Sequence, residues 1–207
     1  MRSPNTVELI DYVGGDKAHA LAAWASTGTE LNAETEKRIP QLLHKLASNG
    51  HGTPFEHSLL SFRVQSDLAT HIHILKHRSG VSVNAESARY KELKRDSYYI
   101  PDDWPQEIQE CAEIAVQGQQ ELYHLIVTAL TDRGVARSRA KESARFLLPY
   151  SNQIRYVVTF NFRSFIHFQK LRNAPEAQRE VREVALKMLE QVRTIEDFHY
   201  SLQVHGF

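Results

Sequence analysis

The sequence predicts a single α+β domain spanning 1–207, a small and mostly antiparallel sheet flanked by several long helices. Two observations predict it. Two short segments alternate apolar and polar residues and a third is rich in β-formers, whereas the longer runs between and after them carry helical spacing. No repeat, low-complexity tract or Pro/Gly/Ser-rich linker divides the 207 residues, a length that suits one ordinary domain with a sizeable core.

TVELIDYV (6–13) is short, β-rich and closed by Gly14-Gly15, which makes it the opening strand. DKAHALAAWAS (16–26) reads as a helix, and so does 34–50, where Pro40 is tolerated early or marks a break and Gly50 is a stop signal. In HSLLSFRVQ (57–65), Leu60, Phe62 and Val64 fall on one face and Leu59, Ser61 and Arg63 on the other, the pattern of a strand with one better-buried side. Asp67 is placed to cap a helix running through DLATHIHILKHR (67–78), after which 79–89 reads as irregular.

Residues 101–134 form one long amphipathic helix closed by Gly134, and 136–149 a shorter one ended by Pro149. QIRYVVTFN (153–161) alternates again, with Ile154, Tyr156, Val158 and Phe160 on one face. FRSFIHFQKLR (162–172) returns to helical spacing, its Phe162, Phe165 and Phe168 reading as core, and 174–195 makes a final helix.

Composition narrows the function. Lys plus Arg number 25 against 25 Asp plus Glu, and basic residues are not interleaved with exposed aromatics, which argues against a nucleic-acid-binding module. Apolar content of 42% is that of a folded chain. The N-terminus has no uninterrupted apolar run and no stretch approaches membrane-spanning length. Cys111 is the single cysteine, so an intrachain disulfide is excluded. Together these features predict a soluble protein of a reducing cytoplasm that meets neither nucleic acid nor membrane. Cys111 lies in a helical pattern among acidic neighbours that would not stabilise a thiolate, so it reads as inert.

Three polar clusters stand out. HGTPFEH (51–57) gathers Thr53, Glu56 and two histidines on a turn fixed by Pro54. The histidines lie six apart across a proline without HExxH register, so no metal site is expected. KHRSGVSVNAESARY (76–90) starts with cations that suit a helix C-terminus, but then crowds Ser82, Asn84, Glu86, Ser87 and Arg89 together. Hydroxyl, amide and guanidinium donors in one segment are what a phosphate needs, although no Walker or GxGxxG loop is present. The third cluster comprises Arg145, Asn161, Arg163, His167 and Arg172, with Arg163 and His167 one helical turn apart.

Taken in order, HGTPFEH, KHR followed after eight residues by Ser87 and then ARY, ARFLLP, and N-x-RSF-x-x-F-x-x-LR resemble the flavin-dependent thymidylate synthases over 51–178. The N-terminal third matches loosely, chiefly in AAWAS. The resemblance implies a homotetramer in which FAD and dUMP bind between subunits, methylenetetrahydrofolate donates the carbon and NADPH the reducing equivalents. It assigns Thr53, Glu56, Lys76, His77, Arg78, Glu86, Asn161, Arg163 and His167 to the flavin. His73, Lys76, Glu86, Ser87, Arg89, Arg145 and Arg172 fall to dUMP, Ser87 as a positioning group rather than a nucleophile.

Arg172 is the implied catalytic residue, stabilising negative charge at the pyrimidine N3 and its adjacent carbonyl. No protein nucleophile is required in this family, which agrees with the unpromising cysteine.

The departures are specific. Lys76 replaces the first arginine of an Arg-His-Arg triplet, trading a planar fork for a point charge. His73 stands where glutamine is common. His167 stands where asparagine is frequent. Counting back from Ser87 puts Ala85 at the family's loop-glutamate position, whereas Glu86 is the chemical match and a one-residue bulge would reconcile the two. A non-catalytic flavin- or nucleotide-binding relative is the alternative these substitutions leave open.

Overall fold

The computed structural model describes residues 1–87 and 97–207. In chain order the elements are β1 (Thr6–Val13), α1 (Asp16–Trp24), α2 (Ala33–Glu36), α3 (Ile39–Ser48), β2 (Leu59–Asp67), α4 (Leu68–Leu75), β3 (Val81–Ala85), α5 (Gln106–Asp132), α6 (Arg137–Ala144), β4 (Gln153–Asn161), α7 (Phe162–Arg172), α8 (Arg179–Arg193) and α9 (His199–Val204). Tight 3-10 turns at Thr53–Glu56, Arg145–Leu147 and Glu196–Phe198 join some of them. The α+β class is therefore borne out.

The four strands form one sheet in the order β1-β2-β4-β3. Its antiparallel register is visible in paired side chains: Ser61 faces Thr159 at 2.9 Å, while four residues further along β2 Gln65 accepts from Arg155, four residues back along β4. The β4–β3 pair closes in the same sense, through Asn161 N–H to Gly80 O and Glu86 N–H to Arg155 O, each at 2.8 Å. Leu60, Phe62 and Val64 are fully buried, as their alternation requires, while Leu59 on the opposite face is exposed.

Several boundaries differ from the sequence reading. The helix expected over 34–50 breaks at Lys37-Arg38, and Pro40 sits in the first turn of α3, where its missing N–H costs nothing. Helix α4 stops at Leu75, so the cationic triplet lies beyond its end. The segment read as irregular contains β3, because its backbone pairs with β4. Helix α5 starts at Gln106, after Pro105.

The chain divides into two compact units, residues 1–6, 65–73 and 84–156, and residues 7–64, 74–83 and 157–207. In the first, Asp67 caps α4 as expected: its carboxylate accepts from the Thr70 N–H and hydroxyl, both at 2.8 Å, and from the Asn5 amide. Tyr123 and Val127 of α5 bury against Ala140 and Ala144 of α6.

In the second unit, α7 covers the buried faces of β2 and β4, and α8 packs against α7, Gln169 donating to Ala185 O at 3.0 Å. Phe165 stacks on Phe62 at 5.8 Å and meets Phe160 edge-on at 6.0 Å, while Val181, Val184, Met188 and Leu189 of α8 are buried.

The same unit holds a buried polar chain. His19 bonds Ser201 through Nδ1 at 2.8 Å and Ser58 through Nε2 at 2.7 Å, and Ser58 Oγ accepts the Gly15 N–H. Asp16 accepts the amides of Tyr200 and Ser201 at the start of α9. Burial among Phe55, Phe162 and Phe198, then the nearby His205 and His57, push His19 down to about 3. Its unfolded value is the ordinary 6.5, so the unfolded chain binds the extra proton first as pH falls. Stability from this group is complete above that value and declines steadily below it toward pH 3. The melting temperature is expected to drop from about pH 7 to about pH 5, and a melting temperature that holds level across that range would contradict the neutral His19.

Candidate active site

Three of the four motif segments meet on α7 in the second unit. Asn161 caps the helix, its Oδ1 accepting the Ser164 N–H at 2.8 Å, which fixes the first turn. Arg163 leaves that turn and donates to Glu56 Oε1 at 2.6 Å, both side chains partly exposed. Its stem crosses Gly52, where a Cβ would stand 2.6 Å from Nε, so the glycine of HGTPFEH clears the path for the arginine. Thr53 opens the turn that carries Glu56.

The segment after α4 approaches the same helix. Ser164 Oγ donates to Ser79 O at 2.7 Å. Gly80 has φ +63°, and a Cβ there would lie 2.3 Å from Asn161 Nδ2 and 2.5 Å from Ser164 Oγ. Gly80→Ala is expected to cost about 1–2 kcal/mol from the left-handed backbone alone, before the clash is counted. Thermal melts read this directly, and an unshifted melting temperature would show that the turn adapts freely.

At the far end of α7, half-buried Arg172 donates from Nε to His77 Nε2 at 3.0 Å. The His77 ring also packs edge-on to Phe168 at 5.0 Å and lies 6.2 Å from the His167 ring. Burial first, then the charges of Arg172 and His167, push His77 down to about 4, so it is a neutral imidazole at physiological pH. Lys76, Arg78 and His167 are exposed around this cluster.

The donor set of this unit therefore comprises Lys76, Arg78 and Arg163 as cations, with the Thr53 hydroxyl, two imidazoles and the Asn161 amide. Such a set fits the pyrophosphate and polar ring edge of a dinucleotide such as FAD.

In the first unit, His73 lies half-buried in the last turn of α4, and Glu86 and half-buried Ser87 follow β3. Glu86 Oε2 accepts the Arg155 N–H at 3.2 Å, which secures the carboxylate beside β4. Ala85 is the last residue of β3. Arg145 is exposed on the turn after α6, beside the exposed Phe146. Arg89 lies outside the described residues.

Sequence reasoning missed Gly52, Gly80, Ser79 and Ser164 as the supports of α7. The signal for the glycines was present, since each interrupts a motif of functional side chains, but its meaning depends on chain segments distant in sequence.

The chain is similar to known proteins over most of its length. The family model described as thymidylate synthase complementing protein matches residues 8–196. The flavin-dependent thymidylate synthase of Thermosipho africanus is 34% identical, over 88% of this chain and 83% of its own. That of Streptomyces coelicolor is 30% identical over all of this chain and 94% of its own. Among solved structures, the UMP/dUMP methylase PolB of Streptomyces cacaoi bound with 5-Br dUMP has a TM-score of 0.81 at 30% identity, covering 98% of this chain and 95% of that one. With α7 drawing together the flavin-assigned segments and these matches running nearly end to end, the chain belongs to the flavin-dependent thymidylate synthase family.

Proposed function

We infer that this chain is a methyltransferase that makes dTMP from dUMP, using FAD, methylenetetrahydrofolate as carbon donor and NADPH as reductant. The observation that carries the reading is the convergence of segments 51–57, 76–80 and 161–172 on α7, which brings Glu56 to Arg163 and His77 to Arg172 at the two ends of one helix. FAD, when bound, supplies the two-electron redox chemistry. Thr53, Glu56, Lys76, His77, Arg78, Glu86, Asn161, Arg163 and His167 hold it, with Glu56 orienting the Arg163 guanidinium. His73, Lys76, Glu86, Ser87, Arg89 and Arg145 bind dUMP.

Arg172 faces the pyrimidine N3 and its neighbouring carbonyl, where its charge stabilises the negative charge of the polarised ring from which C5 attacks the carbon donor. A guanidinium already held by His77 needs little reorganisation at that moment, which is the economical form of electrostatic catalysis.

The chain works as one functional domain in a cytoplasmic homotetramer whose sites lie between subunits. Helix α5 supports the assembly. Ile108, Cys111, Ala115, Gly118, Leu122 and Leu125 recur at alternating spacings of three and four residues on its exposed side, the seam that packs a helix of a second copy. Among the described residues no helix is long and apolar enough to cross a membrane.

The test supplies the purified protein with dUMP, methylenetetrahydrofolate and NADPH, with UMP as a parallel substrate because the PolB relative is a UMP/dUMP methylase. Yellow protein that yields dTMP is the expected outcome. Yellow protein without product would favour the non-catalytic relative, and colourless protein that refuses FAD would overturn the flavin reading altogether.

A further inference from the structure

We propose that His77 is the positioning residue for Arg172: its neutral imidazole accepts the Nε proton and so aims the terminal amino groups of the guanidinium at the nucleotide base. The proposal rests on the reading above, in which Arg172 meets dUMP.

The geometry is specific. Arg172 spends one of its donors, Nε, on His77 Nε2 at 3.0 Å, and a fixed Nε sets both the plane and the direction of the fork. The imidazole is itself held in place. Its backbone N–H closes a turn onto Ile74 O at 3.0 Å, and its ring stands at 77° to Phe168.

The tautomer follows from the bond: Nδ1 carries the proton and Nε2 the lone pair. Among the described residues, the groups facing the ring are Arg172 and His167 from α7, with Lys76 and Arg78 beside it along the chain. None is an anion that would favour an imidazolium, and burial opposes one further. His77 thus acts on the reaction through Arg172, in addition to its place on the flavin side of the site.

The experiment measures the dUMP dissociation constant by titration calorimetry on the FAD-loaded protein. His77→Leu, which cannot accept, His77→Gln, whose Oε1 can, Arg172→Ala and the His77→Leu/Arg172→Ala double variant are compared with wild type. His77→Leu is expected to weaken dUMP binding about tenfold, the scale of one lost charge-assisted hydrogen bond. His77→Gln is expected to recover most of that loss. In the Arg172→Ala background His77→Leu is expected to change affinity by no more than about twofold, since the group it positions is gone.

An equal tenfold loss in both backgrounds, or a glutamine variant no better than leucine, would overturn the proposal. Melting curves and flavin absorbance confirm that each variant is folded and loaded. A wild-type protein that binds dUMP yet makes no dTMP defeats the catalytic reading while the binding cycle still decides the positioning role; one that binds no dUMP defeats both.

Discussion

Arg172→Ala is expected to cut dTMP formation by about a thousandfold or more while FAD stays bound, because it removes a preorganised charge rather than a cofactor contact. The side chain is half-buried at the end of α7 and oriented by His77. Alanine leaves the helix intact, since the substituted position is its last residue and Phe168, which anchors that turn in the core, is untouched. The loss should therefore appear in turnover with unchanged flavin absorbance and an almost unchanged melting temperature. Normal turnover in this variant would remove Arg172 from its role.

Phe165→Ala is expected to be the most damaging single change to the fold. The ring is fully buried, stacked on Phe62 at 5.8 Å and flanked by Phe160 and Phe162 at 6.0 and 6.4 Å. Truncation removes its transfer energy and opens a cavity that three other rings cannot collapse to fill, a loss of about 3–5 kcal/mol. The functional consequence follows from position, because this ring seats α7, and α7 carries Arg163, His167 and Arg172. Chemical denaturation reads the stability, and a change within about 1 kcal/mol would show that α7 is seated by other contacts.

The parts of the fold legible in sequence were those set by local patterning. Leu60, Phe62 and Val64 announce a buried strand face by alternation alone, and the phenylalanines of α7 fall on its core side as their spacing requires. Strand β3 was not legible: VSVNA is short, with Ser82 and Asn84 in the alternate positions, and it is a strand because β4 offers it a partner. Helix α9 escaped for a related reason. Its six residues carry no start signal of their own, and the carboxylate that holds its first amides is Asp16, from the opposite end of the chain.

The candidate site divides in the same way. Its residue types were readable from motifs, including the Lys76, His73 and His167 departures. The pairing of Arg172 with His77, far apart in sequence, and the passage of Arg163 over Gly52 are products of tertiary structure. Sequence placed Arg172 and His77 on different ligands, whereas the fold joins them.

The chemistry proposed for this chain is flavin-dependent methylation of dUMP, the pyrimidine activated by fixed charge without a protein nucleophile. Cys111, exposed on α5, is the one thiol that could contradict it. The most direct measurement is dTMP formation by the Cys111→Ala protein, with and without NADPH. Product is expected at the wild-type rate when NADPH is present, and none when it is omitted. Loss of product on removing the thiol, or dTMP formed without the reductant, would contradict this chemistry.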